Sequence, residues 1–155
     1  MRRAGRADVP ELVALMRAFY AEAGFTLDEE RATAGFASLL ADARLGRVWL
    51  IEPAAGYIVV TFVHAMEFGG MTAVVDDFYV RPEARGEGLG TAALAAARRA
   101  CEDLGMRAMR VEVGVDNTAA QAVYRSAGFQ PLPGHGLMAA TLAPSCSARK
   151  LEHGG

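Results

Sequence analysis

Apolar residues along this chain recur first at helical spacing and then at strand spacing. Leu12, Leu15, Met16 and Phe19 lie three and four apart, which predicts an amphipathic helix over residues 9–23. Asp8 is placed to cap it, Pro10 and Glu11 suit its first turn, and Gly24 suits its end. Phe36, Leu39 and Leu40 give a second helix an apolar side, with Thr26 or Asp28 as its cap and an end near Gly46. The period then shortens. Val48–Ile51, Tyr57–Val63 and Thr72–Val80 read as strands, the last two separated by a turn at Gly69-Gly70. An alanine-rich helix over Thr91–Leu104 follows, stopped by Gly105. A strand over Arg110–Val115, a helix over Thr118–Ala127 closed by Gly128 and a final strand over Leu137–Leu142 complete the series. With a short first strand over Arg2–Arg6, the order is β-α-α-β-β-β-α-β-α-β, a mixed α/β domain.

Composition narrows the class. In 155 residues, 52% are hydrophobic and 22% charged, and the formal net charge is -2. That is a folding chain of one-domain size with no global electrostatic case for nucleic acid or an anionic membrane. No run of apolar residues is long enough to span a bilayer, and Met1-Arg2-Arg3-Ala4 lacks the apolar stretch of a secretory signal, so a reduced, cytoplasmic protein is expected. Cys101 and Cys146 are too few for a disulfide framework, and neither they nor the three histidines have metal-ligand spacing. No metal site is expected. Lys150-Leu151-Glu152-His153 reads like the scar of an expression tag, which sets residues 147–155 apart as a tail.

The chemistry concentrates around Gly86-Glu87-Gly88-Leu89-Gly90, between a strand and a helix. Glycines there permit positive φ and close approach to a ligand, and the helix N-terminus beyond adds free N–H groups and partial positive charge. Such a place suits phosphate. A P-loop would need Gly-Lys-Ser/Thr, and the dinucleotide fingerprint would need its third glycine one residue later. A purely geometric turn stays open as the alternative, as does a nucleotide-binding regulator.

In full, Val80-x-Pro82-x-x-Arg85-x-x-Gly88-x-Gly90 resembles the acetyl-CoA signature of the GNAT superfamily of N-acetyltransferases. A second block, Asn117-x-x-Ala120-x-x-x-Tyr124-x-x-x-Gly128-Phe129, resembles that family's later strand–helix motif. The resemblance implies a single-domain fold over residues 1–146. Its mixed, mostly antiparallel sheet would have about six to seven strands and about four flanking helices. It also implies acetyl-CoA as cosubstrate, held by backbone N–H groups of Arg85, Gly86, Glu87, Gly88, Leu89 and Gly90, with Thr91 adding a hydroxyl. Phe78 and Val80 would pair with the pantetheine arm, and Asn117 would bind the same arm or simply cap its helix.

Tyr124 matches the residue that protonates the departing thiolate, although a core tyrosine would have the same spacing. The run Asp76-Asp77-Phe78-Tyr79-Val80 resembles the polyamine- and diamine-acetylating branch, in which the first carboxylate helps hold the amine. Asp76 is thus the favoured base, Asp77 a second substrate-binding acid, and Glu112 on the next strand the reserve. Strict alternation sends Asp76 and Asp77 to opposite faces, unless a bulge intervenes. Arg81, Arg98 and Arg99 are candidates for the 3′-phosphate of coenzyme A, and His64 and His135 for the acceptor side. Cys101 falls on an apolar stripe, which favours direct transfer in a ternary complex over an acyl-enzyme. The acceptor is expected to be a small-molecule or peptide amine, with room for a homodimer. A coenzyme-A-binding module without turnover is the alternative.

Overall fold

The computed structural model describes residues 1–134, 136–140 and 142. His135, Cys146 and the 147–155 tail lie outside the described residues. Strand β1 (Arg2–Arg3) leads through a short turn of 3-10 helix to α1 (Val9–Glu22), α2 (Glu29–Ala41), β2 (Gly46–Ile51), β3 (Gly56–Ala65), β4 (Gly70–Val80), α3 (Leu89–Asp103), β5 (Met109–Val111) and α4 (Thr118–Ser126). The strands form one sheet in the order β1-β2-β3-β4-β5, antiparallel except for the parallel β4–β5 pair.

Apart from the strand expected over Leu137–Leu142, the expected elements are present with shifted ends, for local reasons. Asp8 sits at the start of α1, but its carboxylate accepts from the Gly5 N–H at 2.7 Å and from both terminal nitrogens of Arg2 at 2.8 Å, so it ties the helix to β1. Asp28, rather than Thr26, caps α2 by accepting from the Arg31 N–H at 3.1 Å. That helix stops at Ala41, where the next acid, Asp42, accepts from the Arg44 N–H at 2.9 Å and turns the chain. The first strand is only two residues long, β5 ends at Val111 instead of Val115, and residues 136–140 and 142 form no strand. The sheet among the described residues therefore has five strands, flanked by the four helices expected.

The sheet separates two apolar layers. On one face Val48, Leu50, Tyr57, Val59 and Tyr79 pack against Leu12 and Leu15 of α1 and Phe36 of α2. On the other, Trp49, Ile58, Val60, Ala73 and Val75 pack against Leu94, Ala97 and Cys101 of α3 and Tyr124 of α4. Ordinary pleating would put Val75 and Asp77 on one face. A β-bulge prevents it: Val59 pairs with Asp77 and Val60 with Val75, which leaves Asp76 as the extra residue. Val75 keeps to the α3 face, while Asp77 turns to the side of Tyr57 and Tyr79.

Candidate active site

The bulge coincides with a parting of strands. β4 and β5 pair only at Ala73–Met109, Val74–Arg110 and Val75–Val111, after which β4 continues alone beside β3. The Arg81 N–H donates to the Ala55 carbonyl at 2.7 Å, and the register sets Tyr79 opposite Tyr57 and Phe78 opposite Ile58. Antiparallel partners alternate between bonded and non-bonded pairs. Tyr79 and Arg81 thus turn their backbone groups to β3, whereas Phe78 and Val80 turn theirs to the edge that β5 has left. The Val80 carbonyl accepts from Arg85 Nε at 2.8 Å. The Val80 N–H and the Phe78 N–H and carbonyl remain on an open strand edge.

At the end of that edge, Gly86 (φ 86°) and Gly88 (φ 75°) adopt the left-handed conformation that favours glycine. The first hydrogen bond of α3 runs from the Ala92 N–H to the Gly88 carbonyl at 2.9 Å. Among the described residues, the N–H groups of Gly86, Glu87, Gly88, Leu89, Gly90 and Thr91 have no partner outside solvent. Gly90 serves packing, since a Cβ there would lie 3.3 Å from the Phe78 ring and 3.6 Å from Val123. Arg85 is not among the free donors: its N–H bonds the Pro82 carbonyl at 3.2 Å. Its guanidinium makes a two-pronged pair with Glu22 at 2.7 and 2.8 Å and lies 5.8 Å from the Tyr79 ring centre. It fastens the loop to the end of α1. This device was missed in the sequence because the two residues are far apart along the chain.

A cavity of about 180 Å³ fills the parting and is lined by Phe19, Asp76, Asp77, Phe78, Glu112, Asn117 and Tyr124, with Val75, Val111, Val113, Gly114 and Ala120. Four expected residues thus meet with the two adjacent acids resolved into different environments. Asp76 is exposed. Asp77 is held among aromatic rings and accepts from the Tyr57 hydroxyl at 2.8 Å. Burial raises the Asp77 carboxyl from its ordinary 3.8 to about 6, against the lowering effect of the Tyr57 bond, with Asp76 adding to the rise. Glu112 is exposed at the cavity rim. Asn117 caps α4, its Oδ1 accepting from the Ala120 N–H at 3.0 Å, and its amide nitrogen is left over.

Tyr124 is 9% exposed, lies 6.1 Å from the Phe78 ring and 5.5 Å from the Phe129 ring, and its hydroxyl makes no hydrogen bond among the described residues. Burial pushes the phenol up to about 12, with the Asp77 charge contributing next. Tyr20 of α1 also feels burial first and then the charges of Asp77 and Asp76, both of which push its phenol up.

The remaining candidates are elsewhere. Arg81 Nε bonds the Ala54 carbonyl at 2.9 Å, Arg98 pairs with Glu102 at 2.9 Å, and Arg99 and His64 are exposed away from the cavity lining. Cys101 is 2% exposed and burial raises its thiol, so it is packing material and no thiolate. Among the described residues, no group of three or more His, Cys, Asp or Glu is placed to hold a metal ion, and no helix is long and apolar enough to cross a membrane.

Comparison with known proteins bears on this geometry. The model of the acetyltransferase (GNAT) family matches residues 9–129. A Bacillus subtilis (strain 168) protein, provisionally named a [ribosomal protein bS18]-alanine N-acetyltransferase, is 33% identical over 88 residues, 53% of this chain and 58% of that one. The chain thus spans little more than half the length of that curated relative. The crystal structure of integron cassette protein HFX_CASS3, from the mobile metagenome of Cole Harbour Salt Marsh, is 47% identical and superposes with a TM-score of 0.83 over 92% of this chain and 90% of that one. A Clostridium acetobutylicum protein described as a predicted acetyltransferase and solved with acetyl-CoA shares the fold, with a TM-score of 0.75 at 18% identity over 89% of this chain and 94% of that one. With a family match that runs from the first helix through the Tyr124–Phe129 block, the chain belongs to the GNAT family of acetyltransferases.

Proposed function

We propose that this protein transfers an acetyl group from acetyl-CoA directly to a primary amine, with both substrates bound together at the parting of β4 and β5. The observation that carries the reading is the convergence, on one cavity, of a buried phenol without a partner and a carboxyl of raised pKa beside an open strand edge. The unpartnered N–H groups from Gly86 to Thr91 fit a pyrophosphate, and the edge groups of Phe78 and Val80 fit an extended amide chain. When bound there, acetyl-CoA supplies the activated thioester carbonyl.

The residues divide the work. Asp77 is the base: its ordinary acidity would leave it too weak to take a proton from an ammonium, and burial moves it toward neutrality, where general bases serve best. Asp76 and Glu112 hold the incoming cation at the mouth. The Val80 N–H donates to the carbonyl oxygen as negative charge develops there. Tyr124 gives its proton to the sulfur. The two titrations favour each other, because a proton arriving on Asp77 removes the negative charge that holds the Tyr124 phenol up.

The acceptor class is an amine with a cationic or neutral surround, since no basic side chain lines the cavity. The ribosomal-protein alanine in the name of the Bacillus relative favours a peptide amine, and the Asp76-Asp77 run favours a polyamine. A thiol-release assay with acetyl-CoA over polyamines, aminoglycosides, amino acids and alanine-initiated peptides is expected to show acceptor-dependent thiol with at least one class. Tight coenzyme A binding with no such thiol from any class would instead identify a binding module.

A further inference from the structure

We propose that Tyr57 is the positioning residue for the base, tethering one oxygen of Asp77 so that the other is presented to the cavity; this rests on the proposed role of Asp77. Tyr57 is fully buried on β3 and its ring has no freedom to turn, packed edge-on to Phe36 at 6.0 Å and tilted against Tyr79 at 6.4 Å. Its hydroxyl donates to Asp77 Oδ2 at 2.8 Å. Asp77 Oδ1 has no hydrogen-bond partner among the described residues, and Asp77 lines the cavity. The arrangement depends on the bulge: without the extra residue at Asp76, the carboxylate would point into the α3 face, away from Tyr57.

The other ionisable groups around Asp77 are Asp76 and Tyr79 on its own strand, Tyr20 of α1, Tyr124 of α4 and Glu112 at the rim beyond β5. None of them is hydrogen-bonded to it. Tyr57 has a very high phenol pKa, raised first by burial and then by Asp77, so it stays a donor throughout the working range and takes no part in proton transfer. Its role is to choose which oxygen works and to keep Asp77 ionised against the pull of burial.

The test is a titration of Asp77 in the whole protein, labelled with carbon-13 at aspartate carboxyl carbons and with the resonance assigned by Asp77→Asn. Tyr57→Phe keeps the ring and removes only the donor. The titration midpoint is expected to rise in the variant by about half to one pH unit, as loss of one hydrogen bond to the charged form requires. A midpoint unchanged within about 0.2 unit overturns the inference. Should Tyr57→Phe fail to fold, the wild-type protein still decides. In that protein, mixed water and deuterium oxide should split or shift the Asp77 carboxyl signal through the bonded hydroxyl, and no isotope effect overturns the tether. The acid limb of turnover, followed with whichever amine the thiol-release panel accepts, separates the two readings. A limb that moves with the titration supports both. A shifted titration with an unmoved limb leaves the tether standing but removes Asp77 as the base, which overturns the catalytic half of this inference.

Discussion

At Tyr124, a single oxygen separates two roles. The ring belongs to the core between Phe78 and Phe129, while the hydroxyl reaches a cavity where nothing bonds it. Tyr124→Phe should therefore leave folding and coenzyme A affinity, measured by calorimetry, nearly intact, and lower turnover by about 10²–10⁴-fold, the usual worth of a positioned proton donor. Asp77 offers a second separation, of function from stability. Its pKa rises on folding from 3.8 to about 6, so between those values the native state binds more protons than the unfolded one. Stability then falls as pH rises through that window, and the cost is complete above it. Asp77→Asn is expected to melt above the wild type at pH 7.5, with the gap closing toward pH 4, while activity is lost. A melting temperature that fell equally at both pH values would show that Asp77 supports the fold.

At the scale of elements, the glycine loop and the bulge were legible to different degrees. Gly88 caps α3 with φ 75° and open space around it, so Gly88→Val strains the backbone and places a branched side chain over the free N–H groups. We expect coenzyme A affinity to fall more than about tenfold by calorimetry, a loss of at least roughly 1.4 kcal/mol, and the free protein to melt lower as well, since a branched residue at positive φ costs about 1–3 kcal/mol. That loop announced itself, because strand, glycines and helix follow one another and the chemistry is written in consecutive residues. The bulge did not. Val74-Val75-Asp76-Asp77-Phe78 contains no glycine or proline to mark an inserted position, and only the register against Val59 and Val60 reveals that Asp76 is extra. The different surroundings of the two acids were hidden for the same reason. Asp77 is set apart by Tyr57 on the neighbouring strand, and strand pairing is information that periodicity does not carry. Helix starts were read to within a few residues where caps such as Asp28 and Asn117 mark them, whereas the strand expected to run to Val115 stops at Val111 because apolar alternation continues where pairing stops.

Across the whole molecule, the strand pairings are unequally extensive. β2, β3 and β4, which carry helices on both faces, are joined by long antiparallel ladders, while β5 is joined to β4 by three residue pairs and α4 rests on α3 and the edge of β4. A ligand lying along Phe78 and Val80 and reaching into the cavity beside Val111, Asn117 and Tyr124 would touch both sides of that parting at once. Coenzyme A should accordingly raise the melting temperature in a concentration-dependent way, by about 2.7 kcal/mol of added stability at a hundredfold excess over Kd. It should also slow cleavage between β5 and α4 by a protease. An unchanged cleavage rate at saturation would mean that the seam is already closed.

On the proposed reading, that three-pair seam would make the protein's lifetime depend on what it binds. Held across its weakest strand pairing by a bound cosubstrate, it would last longest where acetyl-CoA is plentiful and be most open to degradation where it is scarce.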